Sequence, residues 1–161
     1  EAYEDVETDR GATGQAALVV ILSSLAAGIG ARTPGTSSVL NILWISGVSL
    51  VAWAAWALVT YEIGSRLMPE PDTRVDVGQL LRTLGFASAP GLIRVLGVLP
   101  EVAAPVFAVS AVWMLAANVV AVRQALDYTS TARALAVCGL GWSLAIVLAV
   151  VLGLFFGPAV S

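Results

Sequence analysis

Arg94 lies in an otherwise apolar run, four residues after Pro90 and six before Pro100, and its type and placing point to chemistry more than any other residue does. A charge inside a membrane span is costly and marks a functional site by default. The remaining reactive groups are sparse. Glu62 and Glu101 stand only at the ends of uncharged runs, whereas a proton-coupled carrier needs a titratable group within a span. Cys138 is the only cysteine and sits among apolar residues, the setting of an inert buried thiol. With no lysine and no histidine, the chain has no Schiff-base lysine, His general base or His metal ligand. Neither a nucleophile with its base nor a pair of acids can be assembled. The Gly28-x-Gly30 and Gly139-x-Gly141 pairs fall within apolar helices rather than after soluble strands, so they are not phosphate loops. The sequence therefore predicts no enzyme, no cofactor and no metal centre.

The candidate residues that remain are structural or interactive. Ala87, Ser88, Ala89, Pro90 and Gly91 form a small-residue patch that weakens a helix, because proline removes one backbone bond. Arg94 is about 9 Å from Pro100 at helical rise. It can snorkel outward, pair with Glu101, or meet a lipid phosphate. Asn118 can hydrogen-bond across helices, and Gly153-x-x-x-Gly157 is a close-packing motif. Ser23, Ser24, Ser46, Ser49, Ser110 and Ser143 fit packing positions better than the lining of a pore.

The elements that must position these residues follow from charge-free runs. Gly11–Ala31, Thr33–Tyr61, Val102–Val122 and Ala134–Ser161 contain no charged residue, and Thr83–Pro100 is broken only by Arg94. Each of the four approaches or exceeds the roughly 20 residues that carry a helix across a bilayer. Of the 161 residues, 58% are hydrophobic and 12% charged, which no soluble fold could hide. The expected architecture is an all-α polytopic bundle of about five spans, at about 15–31, 38–61, 83–100, 102–122 and 134–157, forming one transmembrane domain over 1–161. Tyr61 suits an interfacial anchor and Trp53 a place inside the bundle. In the polar segment Glu62–Arg82, Thr73-x-x-Asp76 reads as a capping box. A short amphipathic helix should follow in the interface and run into the third span, with Val77, Leu80, Leu81 and Leu84 on its apolar side and Arg82 on its polar side. Thr129 or Ser130 should cap the last helix.

The net charge is −3, and five acids crowd the first nine residues, as at a solvated end. No basic, aromatic-interleaved patch suggests nucleic acid. The chain opens at Glu1 rather than methionine, which leaves room for a missing leader or N-terminal segment. Its first uncharged run follows acids rather than a basic stretch, so it reads as a retained span. A cytoplasmic N-terminus places Arg10, Arg66, Arg74, Arg82, Arg123 and Arg133 inside and only Arg32 in an outer loop, as the positive-inside rule favours.

Three segments resemble the bacterial branch of the Yip-domain family, whose name comes from interaction with Rab-type GTPases. They are Thr8–Ala16, Leu81–Pro90 with its Leu-Gly-Phe-Ala-x-Ala-Pro core, and Val112-Trp113-Met114 followed by Arg123–Leu126 and Thr131–Ala134. The resemblance implies five membrane helices, a cytoplasmic N-terminus and no known enzymatic activity, and the expected location is the bacterial cytoplasmic (inner) membrane. This sequence lacks the long N-terminal region and Asp-Leu-Tyr-Gly-Pro-type motif of the eukaryotic branch, so small-GTPase binding does not carry over. The resulting expectation is a scaffold, assembly factor or accessory subunit that contacts lipids and other membrane proteins or its own copies. A small transporter or channel for a lipid or neutral solute is the alternative.

Overall fold

Hydrocarbon offers no water to backbone N–H and C=O groups, so each uncharged run must satisfy its own backbone as a helix. The computed structural model has that form. It describes residues 11–31, 39–69 and 76–156, with 145, 146 and 148–156 described by backbone alone. The elements are α1 (Ala12–Gly30), α2 (Val39–Glu62) ending in a π-helical turn (Ile63–Leu67), α3 (Val77–Ala87), a 3-10 segment (Ala89–Val98), α4 (Pro100–Ala125) and α5 (Thr131–Phe156). No strand occurs among the described residues. Ala12–Gly30, Val39–Leu67 and Pro100–Ala125 are long and apolar enough to cross a membrane, and α5 runs for 26 residues. The bundle is organised around α1, which packs on α2, α3 and the 3-10 segment; α4 covers the other side of that segment, and α5 lies against α4 and α2.

The third crossing is built in two pieces. Asp76 caps α3: its carboxylate accepts from the Gly78 N–H (3.1 Å), while the Gln79 side-chain oxygen accepts from the Asp76 N–H (3.3 Å). The capping box thus sits three residues later than the sequence reading placed it, because Asp76 is itself an extended N-cap rather than the third residue of the helix; Thr73 lies outside the described residues. Helix α3 leads through Ser88 into the 3-10 segment, with Leu80 and Leu84 fully buried. Arg82, assigned to the polar side, is buried too, at 8% exposure. The cause is that α1 and α4 both pack on this helix, leaving it little free perimeter. Beyond Ser88 the chain tightens into 3-10 winding. At about 2.0 Å rise per residue against 1.5 Å in an α-helix, the ten residues Ala89–Val98 reach farther than an α-helix of the same length would.

The polar loops meet at one end. The Tyr128 hydroxyl reaches the carbonyls of Gly64 (3.0 Å) and Met68 (2.7 Å), and Arg133 donates to the Pro69 carbonyl (3.0 Å). Arg123 donates from Nε to the Tyr128 carbonyl (3.3 Å). Asp127 turns this loop in the left-handed region at φ 52°. Ser130 then occupies the N-cap position of α5, its carbonyl accepting from Ala134 (3.3 Å).

The winding after Ser88 also sets the closest backbone approach in the bundle. Three residues per turn bring Gly91, Arg94 and Gly97 into one row. A methyl group at Gly30 would run into the Arg94 carbonyl, and one at Gly97 would lie 2.8 Å from the Gly30 carbonyl. Gly30→Ala should therefore cost about 1–3 kcal/mol through overpacking. Gly47→Ala, with nothing within 4 Å of its Cβ position, should stabilise by about 0.5–1 kcal/mol through helix propensity. Thermal melting in detergent checks this pair, and equal melting temperatures would contradict the close approach.

Candidate functional site

Pro90 has no N–H to offer the Phe86 carbonyl four residues back, so regular α-helical bonding stops here. The hydrogen bonds around this stop come partly from the local chain. The Ser88 N–H donates to the Gly85 carbonyl (3.1 Å), the Gly91 N–H to the Ser88 carbonyl (2.9 Å) and the Ser88 hydroxyl to the Leu84 carbonyl (3.0 Å). Neighbouring helices supply the rest. Ser23 on α1 donates to the Ser88 carbonyl (2.8 Å), and Ser110 on α4 donates to the Pro90 carbonyl (3.3 Å). Two hydroxyls from different helices thus stitch the break into the bundle, each bond contributing about 0.5–1.5 kcal/mol.

Arg94 joins this network one turn later. Its Nε donates to the Ser110 hydroxyl (3.0 Å), and its guanidinium carbon lies 5.9 Å from the centroid of the Phe107 ring. The Ser110 oxygen therefore accepts from Arg94 while passing its own proton toward Pro90, which uses both capacities of a hydroxyl. The ring face adds a cation–π contact of about 0.5–2 kcal/mol. The oxygen ligand of Arg94 is thus a serine; among the described residues no ion pair joins it to Glu101. An uncompensated charge at mid-bilayer costs at least about 2.5 kcal/mol, so these contacts decide how deep the residue can sit.

A half-enclosed crevice of about 60 Å³ opens beside these groups. Ser23, Ser24, Ser49, Trp53, Ser88 and Arg94 line it, with Val20, Ala27 and Met114 as its apolar wall. Trp53 is half-buried, and its indole N–H has no hydrogen-bond partner among the described residues.

Of the residues singled out from sequence, Pro90, Gly91 and Arg94 come together here. Gly91 is buried where an added Cβ would lie 3.2 Å from both the Met114 sulfur and the Ser23 Cβ. Asn118 is on the same helix as Ser110, eight residues along and outside the crevice. It is 4% exposed, and its side-chain oxygen lacks a hydrogen-bond partner among the described residues. Gly153 belongs to the backbone of α5, and Gly157 lies outside the described residues, so the glycine motif has no described packing. Sequence reasoning passed over Ser88 as an acceptor and donor, treated Ser110 as packing, and missed Gly30 and Gly97. The signal for part of this was present, because Gly91, Arg94 and Gly97 are spaced by three rather than by the helical three-and-four.

The Yip1 domain family model matches residues 1–152. Comparison with curated proteins and with solved structures returned no match.

Ser110→Ala should destabilise the protein by about 1–3 kcal/mol, since it strips a partner from both the Pro90 carbonyl and the guanidinium. Ser23→Ala should cost about 0.5–1.5 kcal/mol, because the Ser88 carbonyl keeps its bond from Gly91. Denaturation in mild detergent gives the order, and a larger loss for Ser23→Ala would show that Ser110 is not the pivot.

Proposed function

The chain belongs to the Yip1 domain family, and from that premise we propose a non-catalytic membrane scaffold, assembly factor or accessory subunit in the bacterial inner membrane. The observation carrying this reading is the outer face of α5. Leu135, Gly139, Ser143 and Val147 recur every four residues there, all exposed. The Cβ position of Gly139 has nothing within 4 Å. Ser143 turns its hydroxyl back to the Gly139 carbonyl (2.8 Å), so its polarity is spent within its own helix. Gly139-x-x-x-Ser143 is then a small-residue pair where another protein's membrane helix can approach closely. Inside the bundle, Ser23 and Ser110 hold backbone to backbone, an arrangement suited to a fixed platform.

The meeting of the Glu62–Pro69 and Arg123–Arg133 segments at one end supports placing both in the cytoplasm together with the N-terminus. Small-GTPase binding forms no part of this proposal. The crevice lined by Arg94 favours a second reading, a small transporter or channel for a lipid or neutral solute, although about 60 Å³ holds only a few waters.

Gly139→Leu combined with Ser143→Leu should reduce recovery of membrane-protein partners by roughly tenfold, or about 1.4 kcal/mol, with the melting temperature unchanged. Native purification and mass spectrometry read this, and undiminished recovery would sink the scaffold reading. Solute or lipid flux in proteoliposomes would favour the alternative. For topology, in a Cys138→Ser background, Ser130→Cys should label from the cytoplasm and Ser37→Cys only from outside.

A further inference from the structure

We propose that the crevice at Arg94 binds a single phosphate group, presented either by a phospholipid headgroup or as the free ion. Its polar lining is built to donate. Arg94 commits only Nε, to Ser110, which leaves four N–H groups on its terminal nitrogens. None of these has a hydrogen-bond partner among the described residues. Trp53 adds an indole N–H, a donor with no acceptor capacity, buried and lacking a partner among the described residues. Ser24 and Ser49 add hydroxyls, and no aspartate or glutamate lines the crevice. The carbonyls at the break are already used, since those of Ser88 and Pro90 accept from Ser23 and Ser110.

A cation would meet the guanidinium's charge with no carboxylate to hold it, and a neutral solute could enter without balancing that charge. A phosphate oxyanion meets both needs, because a guanidinium fork binds it through two parallel charge-assisted hydrogen bonds. Size agrees: the volume of about 60 Å³ exceeds the ~10–15 Å³ that one water needs and suits one phosphate group. Along the 3-10 segment, Leu92, Val95 and Leu96 beside Arg94 are exposed apolar residues. They offer acyl chains a surface next to the charged head. The inference rests on the crevice alone and is independent of the scaffold reading.

The test uses the full chain in nanodiscs with two lipid settings. In mixed phosphatidylglycerol and a phosphate-free galactolipid, native mass spectrometry should find phosphatidylglycerol retained selectively. Arg94→Met should cut that retention by roughly tenfold, the scale of one lost charge-assisted pair, and Trp53→Phe should cut it by a smaller factor. In pure galactolipid, inorganic phosphate should be titrated against melting temperature. A rise lost in the same two variants identifies the free ion as the source, and retention without such a rise identifies the lipid. Should Arg94→Met fail to fold, Trp53→Phe decides, because it removes the indole N–H and keeps an aromatic side chain, with Trp53→Leu as the control for lost ring volume without any donor. Phosphate without effect in either setting, or an effect that the folded variants leave intact, would overturn the proposal.

Discussion

A backbone group in hydrocarbon has no solvent to fall back on, and at Pro90 this chain gives up an N–H in the middle of a membrane crossing. The bundle closes in around that break. Ser23 and Ser110 reach in from α1 and α4 to the carbonyls of Ser88 and Pro90, which requires both helices to lie close to the break. That closeness is possible because Gly30, Gly91 and Gly97 present no side chain at the contacts. The 3-10 winding completes the arrangement by lining Gly91 and Gly97 up with Arg94. The helix change, the glycine contacts and the seating of the charge thus share one short stretch of chain.

Arg94 and Ser110 illustrate how little polarity a low-dielectric interior needs in order to be organised. One hydroxyl accepts from the guanidinium and donates to the chain break, so the position of the charge and the shape of the third crossing depend on each other. Just beyond the C-terminal end of α4, Tyr128 and Arg133 hold the connecting loop against the end of α2 and the residues after it. The π-helical turn there exposes the carbonyl of Gly64 to Tyr128, and the Cβ position of Gly64 is filled by the Leu126 side chain. Sequence-distant segments are tied near the middle of α4 and again just beyond its C-terminal end, which fits a bundle that presents a constant outer surface.

Family membership gains a physical meaning from these contacts. The Leu-Gly-Phe-Ala-x-Ala-Pro segment spans the end of α3 and the break that follows it. Its glycine, Gly85, lies against Ala16 of α1, where an added Cβ would be 2.9 Å from the alanine methyl. Ala87 and Ser88 are buried at 1% exposure, and Pro90 closes the segment by ending the α-helix. The segment thus brings a helix to a stop against a neighbour, with Gly85, Ala87 and Ser88 as the small residues at the close contacts and proline at its end.

The helical, membrane-crossing character of the chain was legible in the residues, because a charge-free run in this composition has only helical ways of satisfying its backbone. Pro90, Gly91 and Arg94 were legible as a place of tension for the same local reason: a missing donor, a missing side chain and an isolated charge are properties of single residues. The partners of that tension were not. Ser110 lies twenty residues from Pro90 and Ser23 lies sixty-five from Ser88, and nothing local distinguishes them from Ser46 or Ser143. The burial of Arg82 was equally hidden, since an amphipathic pattern shows which face is apolar but not how many helices will surround it. By itself, then, the sequence determined that the chain crosses a membrane as helices and where one of them must falter. The tertiary structure decided which hydroxyls bond the carbonyls beside that fault and that the 3-10 turn aligns Gly91, Arg94 and Gly97, because those outcomes depend on which helix faces meet.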